Sequence, residues 1–214
     1  SVYYTVLGTV INMVLTTMMA YPLSRPHLTF RKFYNVLILI TMFFSGGLIP
    51  TFLTVRNLGL YDTVWAIVLP GAISTWNLII MRTFFMNLPV ELEESAQLDG
   101  ANDLTIFSRI ILPLSKASIA TITLFYAVSH WNNWFNAMIY FKSSKSYPLQ
   151  TILRSIVINN EMSEEMQVDE VIDSVSAEGI KYSTLVVSMV PMLVVYPFIQ
   201  KYFVKGVMIG SLKG

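Results

Sequence analysis

The densest run of side chains able to hold a solute is Ser129-His130-Trp131-Asn132-Asn133-Trp134, followed after Phe135 by Asn136. Amides bond hydroxyls and indoles stack on sugar rings, so the set suits a polyhydroxylated ligand. Read as a helix, the segment places Ser129, Asn132, Asn133 and Asn136 on one face, with Trp131 beside them. Asn77 and Trp76 repeat the pairing of amide and indole elsewhere. The same side chains could instead tie one helix to another, and the indoles could belong to an interfacial aromatic belt. His130 reads as a packed, hydrogen-bonded imidazole rather than a proton relay, because the apolar stretches hold no acidic partner for it. Nothing here composes a catalyst. The chain has no Cys, no Gly-rich phosphate loop ending in Lys-Ser or Lys-Thr, no metal-ligand spacing and no Ser-His-Asp arrangement.

The elements that must carry these groups follow from where charge is missing. Apolar residues make up 54% of the 214 and charged residues 13%, with mean hydropathy +0.59; a soluble domain carries about twice that charged share. Five stretches hold no Asp, Glu, Lys or Arg: Ser1–Ser24, Phe33–Val55, Thr63–Met81, Ala117–Phe141 and Tyr182–Gln200. Each is near the ~20 residues an α-helix needs to cross a bilayer, and none has the polar face a small soluble bundle requires. The expected fold is an all-α polytopic membrane protein with five transmembrane helices, surrounded by membrane lipid. Gly46-Gly47, Pro50, Pro70, Pro191 and Pro197 mark kinks or close helix approaches. A net charge of +1 gives no reason to expect a nucleic-acid partner.

Basic residues near span ends favour the cytoplasmic side. Arg25, Arg31 and Lys32 fill the first loop, whereas the second sets Arg56 against Asp62. Alternation then makes Arg82–Lys116 cytoplasmic, Lys142–Lys181 external and acidic, and the tail from Lys201 cytoplasmic. Ser1 would start outside, inside an apolar run with no basic flank and no initiator Met, so an earlier span is expected upstream; the run is too long for a signal peptide.

The cytoplasmic loop 87–113 divides into two short helices. Asn87 can cap the first, Pro89 suits its first turn, and Glu91, Glu93 and Glu94 complement its dipole. Gly100 suits the left-handed turn between Asp99 and Ala101, Asn102 or Asp103 can cap the second helix, and Pro113 stops it. Leu92, Ala96, Leu98, Ile106, Ile110 and Ile111 give it apolar surface, with the carboxylates on the polar side. A hairpin resting on the bilayer would be basic, yet five acidic residues, from Glu91 to Asp103, face only Arg109. A knob projecting from the membrane surface is the reading.

This loop resembles the coupling loop of permease subunits of ATP-binding-cassette importers, which reads Glu-Ala-Ala, three residues, Gly, nine residues, Ile, any residue, Leu-Pro. The chain reads Glu94-Ser95-Ala96, three residues, Gly100, nine residues, Ile110-Ile111-Leu112-Pro113, with only Ser95 departing. The resemblance implies a type I importer transmembrane domain spanning 1–214, with loop 87–113 docked on a separate ATPase. Glu94 would offer that partner a carboxylate, Ala96 would permit close approach, and Gly100 would make the turn. It implies no cofactor on this chain and Mg-ATP on the partner. Two ATPase subunits, a second permease and an extracytoplasmic binding protein facing loop 142–181 complete the expected assembly in the bacterial cytoplasmic membrane. The tail 201–214 resembles that of maltose-type carbohydrate permeases, most closely those handling oligosaccharides from polysaccharides, which implies ATPase contacts at Gly206, Gly210, Lys213 and Gly214. An importer of another solute fits the same loop. An ion-coupled transporter would want ionisable residues within its spans, where only His130 is available.

Overall fold

The computed structural model describes residues 1–165, 179, 182–183, 185–191 and 193–194, and the described residues form helices and turns without strands. The tail residues Gly206, Gly210, Lys213 and Gly214, residues 166–178, 180 and 181 of the acidic external loop and part of the last apolar stretch lie outside them.

Among the described residues, helix α1 (Val2–Ser24) is the one helix long and apolar enough by itself to cross a membrane; its 23 residues reach about 34 Å at 1.5 Å each. Its polarity is inverted relative to a soluble helix. Gly8, Thr9, Asn12, Thr16, Thr17 and Ala20 are buried, while Val2, Val6, Val10, Val14 and Met18 are exposed at a spacing of four. Small and hydroxylated side chains let neighbouring helices approach, and the valines are left for lipid.

The next three apolar stretches are each broken, the first two beside Gly46-Gly47 and Pro70, which were read as kinks or close approaches, and the third at a point where none was read. Helices α2 (Arg31–Phe43) and α3 (Leu48–Asn57) meet at 112°: α2 ends where Phe44 turns extended, and Gly47, which precedes α3, takes φ +82 and ψ 178, a backbone open chiefly to glycine. The third stretch holds a single turn, α4 (Trp65–Val68), then Pro70-Gly71, then α5 (Thr75–Met86). The loop supplies α6 (Glu91–Leu98) and α7 (Asp103–Ile106), which runs through a π turn at Phe107–Ile111 into α8 (Leu112–Leu114). The chain then bends by 82° into α9 (Lys116–Trp131), breaks at Asn132–Trp134, and resumes as α10 (Phe135–Tyr140) and α11 (Leu149–Glu165).

Helix α1 packs against α5 and α9. Ala20, Leu23, Leu78, Met81, Phe85, Ile106, Ile111 and Ile122 form the main core near the far end of α1, and there the loop helices are seated. At the other end Tyr4 donates to the Ser146 carbonyl (3.0 Å), Leu149 N–H to Ser1 Oγ (2.6 Å) and Lys142 N–H to Asp62 Oδ1 (3.0 Å). Connections 25–30 and 87–115 therefore share one end, and 57–64 and 140–149 the other, as alternating spans require.

Candidate functional site

A cavity of about 590 Å³ opens between α1, the α4–α5 break, and the α9–α10 break, within the range of small-ligand sites. Asn12, beside the midpoint of α1, sets it at mid-depth of the spanning helix. Its polar lining is Asn12, Ser74, Asn77, Tyr126, Ser129, His130, Asn133 and Asn136, with Trp76 and Phe125 on its wall and no carboxylate among the described residues.

The broken helices explain why polar backbone can exist here. Irregular backbone is tolerated at membrane depth only when buried in protein or lining a cavity. Pro70-Gly71 frees carbonyls that a continuous helix would satisfy, and Asn12 Nδ2 donates to the Gly71 carbonyl at 3.3 Å. Ser74 caps α5 by accepting from Asn77 N–H (3.4 Å), while its own N–H donates to Tyr126 Oη (3.0 Å). Tyr126 Oη also lies 2.7 Å from Thr16 Oγ1, joining α1, α5 and α9. Asn12 Oδ1 and His130 Nε2 are buried with no hydrogen-bond partner among the described residues, a state that is costly unless a ligand or water supplies one.

Of the residues expected to line a path, Asn77, Ser129, Asn133 and Asn136 meet at this cavity. Trp131 and Asn132 do not, which corrects their expected place. Trp131 is buried and donates its Nε1–H to the Ser188 carbonyl at 3.3 Å, so it fastens α9 to the last apolar stretch. Asn132 ends α9, and its Nδ2 bonds back to the Val128 carbonyl at 3.0 Å. The single helical face fails because α9 stops at Trp131; the break itself delivers Asn133 and Asn136. Asn12 and Tyr126 were missed. The signal for Asn12 was in the sequence: Gly8, Asn12 and Thr16 recur one turn apart in the first apolar stretch.

The 87–113 loop folds as helix, glycine turn, helix. Gly100 has φ +80; Ala101 N–H donates to the Ala96 carbonyl (2.9 Å) and Gly100 N–H to that of Gln97 (3.0 Å), the paired closure of a helix ending in a left-handed residue. Asn102 caps α7 by accepting from Thr105 N–H at 2.9 Å. Three local expectations are corrected. Asn87 closes α5, and α6 is capped by Val90 without a side-chain bond. Pro113 does not stop the second helix, which runs to Leu114; lacking an N–H for the Arg109 carbonyl, it accompanies the π turn instead. Ala96, expected on the docking side, packs inward on the core.

The motif thus divides between two surfaces. Glu94, Ser95, Asp99, Gly100 and Pro113 are exposed, with Leu98 the most exposed large apolar residue among those described, at 90%. Ala96, Ala101 and Ile110 pack against the core, and Leu112 is half-buried. Glu93 also breaks the expected pattern of solvated carboxylates: it is buried, and burial pushes its carboxyl above the usual carboxylate range, against the downward pull of Arg25 and His27.

This architecture has relatives. Along its whole length, and 75% of theirs, the chain is 50% identical to the polygalacturonan/rhamnogalacturonan transport system permease protein YtcP of Bacillus subtilis (strain 168). It is 27% identical to the arabinooligosaccharides transport system permease protein AraQ of the same organism, over 96% of this chain and 69% of that one. A crystal structure of a bacterial ABC transporter involved in the import of the acidic polysaccharide alginate contains a chain that superposes with TM-score 0.84 at 36% identity, covering 94% of this chain and 72% of that one. The family described as binding-protein-dependent transport system inner membrane component matches residues 3–209, and with this fold and these relatives the chain belongs to that family.

Proposed function

We propose that this chain is one of two membrane subunits of an ATP-driven importer of oligosaccharides released from polysaccharides, and that the mid-depth cavity is its share of the sugar path. The observation carrying this reading is the cavity's lining: Asn12, Asn77, Asn133 and Asn136 converge at the middle of an otherwise apolar bundle, with Ser129, Trp76 and Tyr126 beside them. Such a set bonds hydroxyls and covers sugar faces, and its cost in lipid calls for a function. The names of the relatives support a carbohydrate cargo.

ATP is hydrolysed by a separate subunit that holds Mg-ATP and grips the exposed side of α6, with Glu94 at the contact and Gly100 setting the turn. The end bearing 25–30 and 87–115 faces the cytoplasm, and the end bearing Ser1 and 140–149 faces outward, toward an extracytoplasmic binding protein. A second permease closes the path.

The chain has no Cys, so single cysteines report without background once the other subunits are freed of cysteine. In the assembled importer, Ser129→Cys should react with a water-soluble thiol reagent and be protected by transported sugar during turnover. A residue that is unreactive in every nucleotide state, or labelled equally with and without sugar, would remove the cavity from the path.

A further inference from the structure

Arg25 follows the last turn of α1, with φ −86 and ψ 136. Its single guanidinium touches three elements. Nη2 lies 2.5 Å from Glu93 Oε1 on α6, Nη1 donates to the Phe85 carbonyl near the end of α5 at 3.4 Å, and the group stands 4.9 Å over the Tyr21 ring of α1. The two charged side chains are 8% and 6% exposed, and theirs is the one ion pair among the described residues.

Such a pair is a poor stabiliser, because withdrawing two charges from water offsets most of their attraction. What it supplies is resistance to separation. The apolar contacts of Ala96 with the core let α6 slide or rotate at small cost, whereas drawing the buried guanidinium and carboxylate apart leaves two uncompensated charges out of water. No short chain segment joins α6 to α1; α6 connects directly to α5 through 87–90. Helix α1 carries Asn12 to the cavity. A displacement of α6 that is to reach this wall directly needs a fastening to α1, and this pair is the one ionic fastening present.

We infer that Arg25 and Glu93 are positioning residues that make α6 and the end of α1 move as one body, transmitting motion of the docking helix to the cavity wall. This rests on the reading that α6 docks on the ATPase.

The test uses the whole importer in liposomes, with the other subunits free of cysteine. Arg25→Cys with Glu93→Cys removes both charges together, leaving neither unpaired. Unbridged, this variant should keep its ATPase on purification yet move about fivefold less sugar per ATP, the lower end of ordinary coupling between sites. Bridging the two thiols with a short reducible bis-thiosulfonate should restore the ratio, and reduction should abolish it again. A normal ratio without the bridge, or a bridge that blocks transport, would overturn the inference. If the double variant fails to assemble, Glu93→Gln, which keeps the shape, decides: a lowered ratio supports the fastening and an unchanged one overturns it. Wild-type uptake that ignores ATP would refute the importer reading as well.

Discussion

Gly8 admits a prediction whose size follows from distances. A Cβ built on Gly8 would lie 2.5 Å from both Cε1 and Nε2 of His130 and 2.8 Å from Nδ1. Ordinary carbon contacts fall at about 3.5–4.0 Å, so in Gly8→Ala the imidazole must retreat by about 1 Å. The ring is buried and lines the cavity, and its Nε2 has no bond to break; packing alone resists the move, and the open direction is into the cavity. Overpacking of this kind costs about 1–3 kcal/mol. For a chain of this size that corresponds to a fall of about 2–4 °C in melting temperature per kcal/mol. The assay is thermal unfolding of the assembled importer in lipid nanodiscs for Gly8→Ala, His130→Ala and the double variant. Because His130→Ala removes the atoms that clash, the double variant should be at least about 1 kcal/mol less destabilised than the sum of the singles. Additivity within about 0.5 kcal/mol would refute the close approach of α1 to His130.

Gly100→Val forces a β-branched residue into φ +80, at about 1–2 kcal/mol or more, and strains the closing bonds to Gln97 and Ala96. Stimulation of ATPase activity by sugar-loaded binding protein should fall severalfold, and undiminished stimulation would remove the turn from the docking role. Glu94→Lys alters only an exposed side chain; the ATPase should be lost on purification while the melting temperature of the membrane subunits changes by less than about 1 °C. Retention of the ATPase would clear Glu94 of contact. Trp131→Phe gives up the bond to the Ser188 carbonyl and should cost about 0.5–1.5 kcal/mol of stability with the sugar preference unchanged. Asn136→Leu should do the reverse, lowering uptake of some sugars more than others; equal profiles for the two variants would erase the distinction between wall and fastening.

The gross order of elements was legible because hydropathy reports burial in lipid directly, and the loop was legible because Gly100 and Asn102 act through local backbone rules. Continuity of the helices was not. Hydropathy sees an apolar stretch whether it is one helix or two, so Phe33–Val55 and Ala117–Phe141 read as spans although Gly47 and the Asn132–Trp134 break interrupt them. The same blindness misplaced Asn132 and Trp131: their facing was inferred from a helical period that ends at Trp131. Glu93 shows the limit most sharply. Its neighbours Glu91 and Glu94 are solvated carboxylates of the same type, and only tertiary packing brings Arg25, from another helix end, against the middle one. A buried ion pair between distant segments leaves no local mark in a sequence.

The central reading is tested most directly by uptake into liposomes containing this chain with its second permease and ATPase subunits, with binding protein outside and ATP inside. Oligogalacturonides, alginate oligomers and neutral arabino-oligosaccharides would be offered in turn. Accumulation of at least one of them that requires all of ATP, the ATPase and the binding protein is the predicted result. Sugar entry without ATP, or driven by an ion gradient, would contradict it.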